Sequence, residues 1–494
     1  MEEYITANQD NNNNTPNTTS YQTIQSANNL AASTLPTQNS TNQSPLQAQD
    51  PEVYNLIKQE EQRQQHKLSM IASENFFSKA VREATGSVLS NKYSEGNTGK
   101  RYYEGNEFID QIELLTIARA KEAFNLPDDW SANVQTLSGS TANLSVYLAL
   151  LNIGDFIMGM YLPDGGHLSH GWSYTPKQPA DPKKTVYYGG KNKVNISSKI
   201  FNTISYKVDP VTKQFDYDEV ERIATLQKPK LLITGGTAYP RNIDYKRMKQ
   251  IATKVGAYYL ADVAHEAGLV AAGAVPSPVG IADVVTMTTH KTLRSGRSAI
   301  ILAHKDIIKK INKAVLPGLL GGPFNHAIAG VAVGLKEVNT PQFKEYAQQV
   351  VKNAQHLANE LITKYQFNVV SGGTDKHLVL IDLTNKNVPG RFFSKALDHA
   401  GIVSNYNTIP GDLKPPLNPS GLRIGTPWIT TRGMKEEQIT QIASWMDQVL
   451  KICQEDRYQG IKFKDFKIEI KQNIEIQRIA KEVKQLCLQF PLDI

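Results

Sequence analysis

Residues 283–301 have the sequence DVVTMTTHKTLRSGRSAII, and this stretch indicates the fold class of the chain. The first of these residues are apolar and β-branched, which predicts a buried strand. Hydroxyl and imidazole side chains follow, and then a single lysine: Thr286, Thr288, Thr289, His290 and Lys291. Because the lysine directly follows a predicted strand, we place it at the carboxyl edge of a sheet, where ligands of open α/β folds bind.

Lys291 is a candidate nucleophile. A free lysine amine has a pKa of about 10.4 and attacks poorly at neutral pH. When other cations are near and water is partly excluded, the amine can lose its proton and form a Schiff base with an aldehyde. For so short a motif, an ordinary surface lysine at a strand end is the alternative.

The composition is typical of a soluble globular protein. The 494 residues are 40% hydrophobic and 20% charged, with a net charge of +7, and this length predicts two domains. No apolar run reaches the roughly 18 residues of a membrane span. Residues 183–199 form the densest basic stretch, but they lack the aromatic and arginine pattern of a nucleic-acid reader. We therefore expect neither a membrane nor a nucleic acid as partner.

Cysteine usage and the first residues favour a cytoplasmic protein. The two cysteines, Cys453 and Cys487, both come late in the chain, which argues against a disulfide framework and fits a reducing compartment. Residues 1–50 contain no Lys or Arg, so they match neither a secretory signal nor a transit peptide. Their Asn-, Thr-, Gln- and Ser-rich composition predicts a disordered polar tail.

Two glycine-rich loops are candidate binding segments. The loop at residues 91–105 is dense in ionisable and aromatic side chains: Tyr93, Glu95, Arg101, Tyr102 and Tyr103. Such a loop is typical of a binding site, although a solvated connection is the alternative. The turn at residues 316–323 includes Gly321 and Gly322, where the backbone could approach a ligand closely.

The triplet Ser138-Gly139-Ser140 is a candidate phosphate cradle. It lies between a short predicted strand at residues 133–137 and a predicted helix at residues 141–151. A helix start presents free N–H groups and the positive end of the helix dipole to an anion. A plain N-cap would use the same residues.

An acidic residue is expected beside the lysine. Asp262 follows a predicted strand at residues 258–261, about one strand-helix-strand unit before Lys291. Since both residues follow buried strands, both can face one crevice. Asp262 could instead cap a helix, and the neighbouring His265 could be an ordinary core histidine.

Other residues add ligand-binding chemistry. His167 and His170 lie in a Gly-rich turn; no third Cys or His is near, so we expect no metal, and a histidine could instead stack on an aromatic ligand. Arg423 lies in a strand-like run, where its planar guanidinium would suit a carboxylate. A phosphate cradle, a nucleophilic lysine, an aspartate, a stacking histidine and an arginine together fit pyridoxal phosphate and an amino acid.

The sequence resembles the serine hydroxymethyltransferase family of fold-type I pyridoxal phosphate enzymes. The resemblance covers the chain from about residue 52 to its end. The motifs that carry it occur in family order: IASENF (71–76), NKYSEGNTGKRYYEG (91–105), GGHLSHG (165–171), DVAHEAGLVAAG (262–273), VVTMTTHKTL (284–293), GGPFNHAIAG (321–330), VVSGGTDKHLVLIDL (369–383) and GLRIGTP (421–427).

The resemblance implies a role for each matching position. The implied catalytic residues are Lys291, Glu95, His265, Tyr102 and Thr288. The implied cofactor-binding residues are Ser138, Gly139, Ser140, His167, Thr237, Asp262, His265, His290, Lys291, Gly321 and Gly322. Serine would contact Ser73, Tyr93, Glu95 and Arg423, and folate would contact Leu162, Gly166, Leu168 and Asn407.

The implied fold class is α/β, with a large domain built on a mostly parallel central sheet flanked by helices and a smaller C-terminal α+β domain. We expect a disordered polar tail at 1–50, an N-terminal arm at 51–80, a large domain at 81–335 with an insertion loop at 172–193, and a small domain at 336–494. Tyr93, Glu95, Gly321 and Gly322 would reach the cofactor of a partner subunit, so we expect a homodimer or a tetramer.

The implied reaction converts L-serine and tetrahydrofolate to glycine and 5,10-methylenetetrahydrofolate, through an external aldimine and a quinonoid of pyridoxal 5'-phosphate. The chain departs from the usual family pattern at Pro163-Asp164, at residues 236–239 and at residues 295–299. These changes concern folate affinity and substrate breadth more than cofactor chemistry. The alternatives are a folate-independent aldolase or racemase for β-hydroxy amino acids, and a catalytically silent cofactor-binding scaffold.

Overall fold

The computed structural model describes residues 43–175 and 186–493. The chain divides into two units, one ending at Arg63 and the other spanning Gln64–Ile494. Most of the polar tail expected at residues 1–50 lies outside the described residues, which begin at residue 43. In the part of the chain that the structure describes, no helix is both long and apolar enough to cross a bilayer.

The helices are α1 (Pro45–Gln49), α2 (Pro51–His66), α3 (Lys79–Thr85), α4 (Glu107–Ala123), α5 (Gly139–Leu150), α6 (Ile196–Ile200), α7 (Tyr217–Gln227), α8 (Tyr245–Val255), α9 (Ala267–Ala271), α10 (Lys305–Lys313), α11 (Asn325–Val338), α12 (Pro341–Thr363), α13 (Gly390–His399), α14 (Pro427–Thr431), α15 (Glu436–Cys453), α16 (Phe463–Gln472) and α17 (Ile474–Gln489). The strands are β1 (Leu68–Ser69), β2 (Gly96–Asn97), β3 (Lys100–Arg101), β4 (Trp130–Asn133), β5 (Phe156–Met160), β6 (Ser173–Tyr174), β7 (Val186–Tyr188), β8 (Asn192–Lys193), β9 (Asn202–Tyr206), β10 (Leu231–Thr234), β11 (Tyr258–Asp262), β12 (Val284–Thr288), β13 (Ala299–His304), β14 (Asn368–Val369), β15 (Leu378–Asp382), β16 (Ile402–Val403), β17 (Asn405–Asn407) and β18 (Gly421–Gly425).

An eight-stranded sheet organises the larger unit, in the order β4-β13-β12-β11-β10-β5-β9-β7. Its five central strands, from β12 to β9, are parallel. Strand β13 is antiparallel to β12 and β4, and β7 is antiparallel to β9. The predicted α/β class with a mostly parallel sheet is confirmed.

Both faces of this sheet are covered, which is why its strands are apolar without alternation. Leu232 of β10 faces a core shared with Met248 of α8, whereas the adjacent Leu231 faces a core shared with Val146 of α5. All five residues of β12 are buried. The apolar runs at residues 258–261 and from residue 283 therefore predicted β11 and β12 correctly.

Asp262 ends β11 and is paired in register with Thr286 of β12. The chain leaves β12 after Thr288 and reaches Lys291 three residues later. The aspartate and the lysine thus lie at the carboxyl edge of neighbouring parallel strands, as the sequence predicted.

Two local predictions were wrong. The strand expected at residues 133–137 is β4, which ends at Asn133; Thr136 lies beyond it and pairs with Ala299 outside the regular ladder. The insertion at residues 172–193 is not all loop, since β6 pairs with β8 and β7 extends the large sheet at its edge. The Val-Tyr-Tyr sequence of β7 explains this, because aromatic and β-branched residues favour strands. Residues 176–185 lie outside the described part.

A second, antiparallel sheet has the order β14-β15-β18-β17. It packs with α12, α13, α15 and α17 around a core that includes Leu357, Phe393, Ile442 and Ile479. Arg423 lies in the middle of β18, between β15 and β17. The domain boundaries given above stay predictions.

Candidate active site

Lys291 is buried, with 9% of its surface exposed, although it carries an amine. Burial lowers its pKa to about 8, with Asp262 acting to raise it and Arg423 to lower it. Within the described residues its Nζ has no hydrogen bond or ion pair, while its backbone carbonyl accepts a 3.1 Å hydrogen bond from Nδ2 of Asn75. A buried, unpartnered amine near neutral pH is a competent nucleophile.

Asp262 is held as a carboxylate by three donors. Its Oδ2 accepts hydrogen bonds from Nδ2 of Asn143 at 2.8 Å and from Nε2 of His170 at 3.0 Å, and its Oδ1 accepts one from the Ala264 N–H at 3.0 Å. Burial opposes ionisation, but the hydrogen bond and charge of His170 and the amide of Asn143 outweigh it and hold the Asp262 pKa well below its usual range. The group can therefore stabilise a protonated ring nitrogen.

His167, His170 and Asp262 form a cluster whose ligand atoms all lie within 4.8 Å of one another. The third member is an aspartate from β11, which the local sequence around the two histidines does not indicate. The donors are already engaged, since His170 bonds to Asp262 and Nδ1 of His167 lies 2.7 Å from Oγ of Ser169. Burial and His170 lower the His167 pKa to about 4, so its ring is neutral and suited to stacking.

The triplet Ser138-Gly139-Ser140 begins α5. Ser138 is the N-cap and forms a capping box with Thr141, and a Cβ on Gly139 would lie 2.8 Å from Cγ2 of Thr288. Helix capping and phosphate binding are thus compatible roles for this triplet. The cap orients the first turn of α5, and the N–H groups of that turn are available to a phosphate. Thr288 donates its hydroxyl to the Ala264 carbonyl at 3.1 Å.

Arg423 is a buried cation without an anion. It is 9% exposed, and it donates to Oδ1 of Asn405 at 3.0 Å and to the Thr237 carbonyl at 2.6 Å. No carboxylate of the described residues pairs with it, and burial lowers its pKa to about 10. A guanidinium placed in this way favours a bound carboxylate.

The segment 71–76 runs beside Arg423 and Lys291. Gly425 donates to the Met70 carbonyl at 2.7 Å, and a Cβ on Gly425 would lie 2.6 Å from Cα of Ala72. Ser73 follows directly, so the predicted serine contact lies next to the β18 end. His290, which precedes Lys291 in the chain, is partly buried; burial and Arg297 lower its pKa to about 3, and its Nε2 lies 3.3 Å from Nη1 of Arg297.

The predicted folate positions come together through backbone contacts. Thr237 donates its hydroxyl to the Gly166 carbonyl at 3.0 Å. Thr408, next to Asn407, donates to the Pro163 carbonyl at 3.0 Å, which lies beside Leu162. These contacts connect Gly166 and the neighbours of Leu162 and Asn407 to other parts of the site, and Leu168, two residues after Gly166, is exposed.

Asp164, one of the residues that departs from the family pattern, is buried under this border. Its Oδ2 accepts a 3.2 Å hydrogen bond from the Val208 N–H. Burial raises its pKa to about 6, against the opposing effect of Lys207. The departure from the family pattern at Asp164 thus introduces a buried carboxyl group near the residues predicted to contact folate. It does not add an exposed acidic side chain among them.

Tyr93, Glu95, Gly321 and Gly322 form a second group. The Tyr93 hydroxyl donates to Oε1 of Glu95 at 3.3 Å, and a Cβ on Gly322 would lie 3.1 Å from the Tyr93 ring. Tyr102 is 72% exposed. In the described chain, no hydrogen bond or ion pair joins this group to Lys291, Asp262 or Arg423. Arg101, by contrast, is a structural residue, since it pairs with Asp110 and Glu113.

Sequence reasoning missed residues whose role is to hold others. They are Asn75, Asn143, Ser169, Thr286 and His377. Asn143 lies one turn into α5 on the face toward the sheet, so helical spacing from Gly139 was the available signal. His377 lies directly before β15, after a glycine-rich turn. Nothing in its local sequence indicated that it would contact His265.

Comparison with known proteins gives consistent results. A family model described as serine hydroxymethyltransferase matches residues 46–446. A protein of that name from Acidothermus cellulolyticus is 46% identical over 446 residues, which is 90% of this chain and 96% of the relative. Those from Desulfotalea psychrophila and Caenorhabditis elegans are 48% and 45% identical over 446 and 463 residues, covering 90% of this chain in each case and 95% and 88% of the relatives.

Proposed function

The chain belongs to the serine hydroxymethyltransferase family, and from this premise we propose how its own residues perform the family reaction. That reaction is the reversible conversion of L-serine and tetrahydrofolate to glycine and 5,10-methylenetetrahydrofolate. When bound, pyridoxal phosphate supplies an electrophilic carbonyl and a ring that withdraws electrons from the substrate α-carbon.

Five features fit this cofactor. The start of α5 offers N–H groups to a phosphate, with Ser138, Gly139 and Ser140 as its contacts. Asp262 is a carboxylate with capacity for one more hydrogen bond, from a ring nitrogen. His167 offers a neutral ring for stacking, and we assign Thr237, His265 and His290 to further contacts with the cofactor. Thr288 leaves no room for a side chain at position 139. Gly139 therefore exposes its backbone, which a ligand can approach closely.

Lys291 would hold the cofactor, because its amine can react with the carbonyl that pyridoxal phosphate would supply. Its pKa of about 8 leaves a usable fraction unprotonated at neutral pH. The backbone of Lys291 is held by Asn75, which donates a hydrogen bond to the Lys291 carbonyl. Asn75 also donates to the Tyr346 hydroxyl at 2.8 Å.

Arg423 binds the carboxylate of the amino acid, with Ser73 beside it. Two nitrogens of the guanidinium donate hydrogen bonds to Asn405 and to the Thr237 carbonyl. The remaining edge of the guanidinium is therefore oriented before the substrate binds. Fixing the carboxylate selects which bond at the α-carbon is aligned with the cofactor ring, and this alignment lowers the barrier by positioning.

Glu95 holds and moves the proton at the serine hydroxymethyl oxygen, and Tyr93 and Tyr102 shape the pocket around it. We assign these residues to the site of a second copy of the chain, so the active form is at least a homodimer. Two observations support this: the exposure of Tyr93 and Tyr102, and the lack, among the described residues, of any hydrogen bond or ion pair between Lys291 and the group of Tyr93 and Glu95. Folate would lie over Leu162, Gly166, Leu168 and Asn407. A cytoplasmic location stays a prediction of the sequence.

The unpaired buried guanidinium of Arg423 is the observation that carries the proposal. The test is cleavage of serine by the purified protein, with and without tetrahydrofolate. We expect turnover that depends on folate, and loss of most of it in Arg423→Gln. Equal cleavage of threonine without folate would favour the aldolase, and absence of any turnover by cofactor-loaded protein would favour the scaffold.

A further inference from the structure

A buried asparagine supports the loop at residues 91–105. Asn325 is the first residue of α11 and is only 2% exposed. Its Nδ2 donates to the Lys92 carbonyl at 2.7 Å, and its Oδ1 accepts from the Ser94 hydroxyl at 2.7 Å. Because these two partners flank Tyr93 in the chain, one side chain holds the loop on both sides of that tyrosine.

The Asn325 amide does not serve as a helix cap, although asparagine is a favoured capping residue. The N-cap of α11 is Phe324, and among the described residues this cap makes no side-chain hydrogen bond to the helix. Both ends of the Asn325 amide are instead bonded to the loop. Ser94 is fully buried, so its hydroxyl would lose its partner at a cost if the amide were removed.

The turn that precedes α11 packs against the same part of the loop. A Cβ on Gly322 would lie 3.1 Å from the Tyr93 ring, and a Cβ on Gly321 would lie 3.3 Å from Oε1 of Glu95. Bare backbone of the turn therefore lies against the ring and near the carboxylate. Since Asn325 follows this turn by three residues, its two hydrogen bonds fix the distance between the turn and the loop.

Arg101 holds the loop next to Glu95. Its Nη1 donates to the carbonyls of the residues before and after Glu95, at 2.9 and 2.7 Å. The backbone of Ser94 is thus held by Arg101, and the side chain of Ser94 by Asn325. Tyr93 is 55% exposed above this buried support, so an exposed side chain projects from a fixed backbone.

We propose that Asn325 is a positioning residue, which holds Tyr93 and Glu95 in the arrangement in which they enter the site of the partner copy. The inference rests on the proposed function for the task of Glu95, whereas the contact with the loop is a property of the chain itself. Asn325 acts only through Lys92 and Ser94, and we assign it no contact with substrate or cofactor.

The first test needs no turnover. Hydrogen–deuterium exchange of the full-length protein is followed at the Tyr102 amide, which donates to the Glu95 carbonyl at 3.0 Å across the loop. We expect Asn325→Leu to speed this exchange at least about fivefold, because the loop opens more often. Thr116→Val is the matched control, since it removes a buried hydroxyl that lies 3.5 Å from the Ile328 carbonyl of the same helix α11. Unchanged exchange in Asn325→Leu would overturn the proposal.

The second test is a double-mutant cycle on the cofactor-loaded protein. We expect Asn325→Leu to lower kcat at least about tenfold in the wild-type background and less than about twofold in the Glu95→Gln background. Ser94→Ala removes one of the two hydrogen bonds, so it should cost less than Asn325→Leu and show the same dependence on Glu95. This smaller change also decides the question if Asn325→Leu does not fold. Equal losses with and without Glu95 would mean a merely structural role.

The third test asks which copy's site is affected. Asn325→Leu refolded together with Lys291→Ala should recover to about a quarter of wild-type activity, because half of the randomly formed dimers then contain one complete site. Refolded with Glu95→Ala it should stay at the mean of the two variants, since neither copy supplies an intact loop. A defect of Asn325→Leu in its own chain's site would leave the mixture with Lys291→Ala inactive and contradict the proposal. If the exchange changes as expected but wild type does not turn over serine, the proposed function fails while the contact between Asn325 and the loop stands.

Discussion

Asn143 donates a hydrogen bond from Nδ2 to Oδ2 of Asp262 at 2.8 Å, and both side chains are buried. Oδ1 of the same asparagine accepts from the Thr286 hydroxyl at 2.7 Å. Asn143 lies in α5, the helix whose first turn we assign to the phosphate. One helix therefore supports both ends of the proposed cofactor, by its N-terminus and by this amide.

We predict that Asn143→Leu weakens binding of pyridoxal phosphate by about tenfold or more. The change removes a donor to a buried carboxylate, and an unmet hydrogen bond of this kind costs about 1–3 kcal/mol. Affinity is measured by titrating cofactor-free protein and following the visible absorbance. Ser145→Ala is the matched control, because Ser145 lies in the same helix and its hydroxyl, within the part of the chain that the structure describes, donates only to the Thr141 carbonyl. Equal affinity in Asn143→Leu and wild type would contradict the role.

The second prediction concerns the pH at which Lys291 becomes reactive. Burial lowers its pKa to about 8, so the fraction of neutral amine rises with pH up to that value and then levels off. We expect the rate of covalent cofactor attachment to follow this curve, as measured by stopped-flow absorbance. A rate that keeps rising toward about pH 10, the range of an ordinary lysine, would show that the site does not lower the pKa.

Lys291→Ala should abolish both covalent attachment and turnover, whereas Lys309→Ala should change neither, because Lys309 is an exposed lysine on α10. The pair separates loss of the nucleophile from loss of a positive charge.

The sequence predicted the chemistry of the site better than its supports. Lys291 and Asp262 each follow a continuous apolar run, which is typical of a buried parallel strand. Polar residues that follow such strands lie at the carboxyl edge of the sheet, so the position of both residues at this edge was predictable. The partners that fix them come from distant segments: Asn75 from the N-terminal part, Asn143 from a helix and His377 from the second sheet. Such contacts depend on tertiary packing, and no local pattern encodes them. Strand β7 has a local signal in its Val-Tyr-Tyr sequence, but so short a run in a polar insertion becomes a strand only by pairing with the edge of β9.

The fourth prediction uses Asp164. Burial raises its pKa to about 6 from an ordinary value of 3.8. Because the folded pKa is the higher one, the folded protein binds more protons between these values, so stability falls as pH rises from about 4 to about 6 and stays lowered above that. Asp164→Asn keeps an acceptor for the Val208 N–H and carries no charge. We expect its melting temperature to exceed that of wild type by a few degrees at about pH 8, and by less at about pH 5.

The control for Asp164 is Asp306→Asn, an exposed carboxylate at the start of α10. This variant should show no gain that depends on pH in the same thermal scans. A destabilised Asp164→Asn at about pH 8 would mean that the ionised carboxylate, through Lys207 or Lys213, contributes more to the fold than its burial costs.

The last prediction tests whether the active site is shared between two copies of the chain. Lys291→Ala and Glu95→Ala should each be nearly inactive. In a mixed dimer, the copy with Lys291 intact meets the Glu95 of the other copy, so one site of the two is complete. If subunits associate at random, half of the dimers are mixed and the activity should recover to about a quarter of wild type. Recovery is measured after refolding the two variants together, with each variant refolded alone as control. If Glu95 instead serves the Lys291 of its own chain, every site carries one defect, and the mixture stays as inactive as its components.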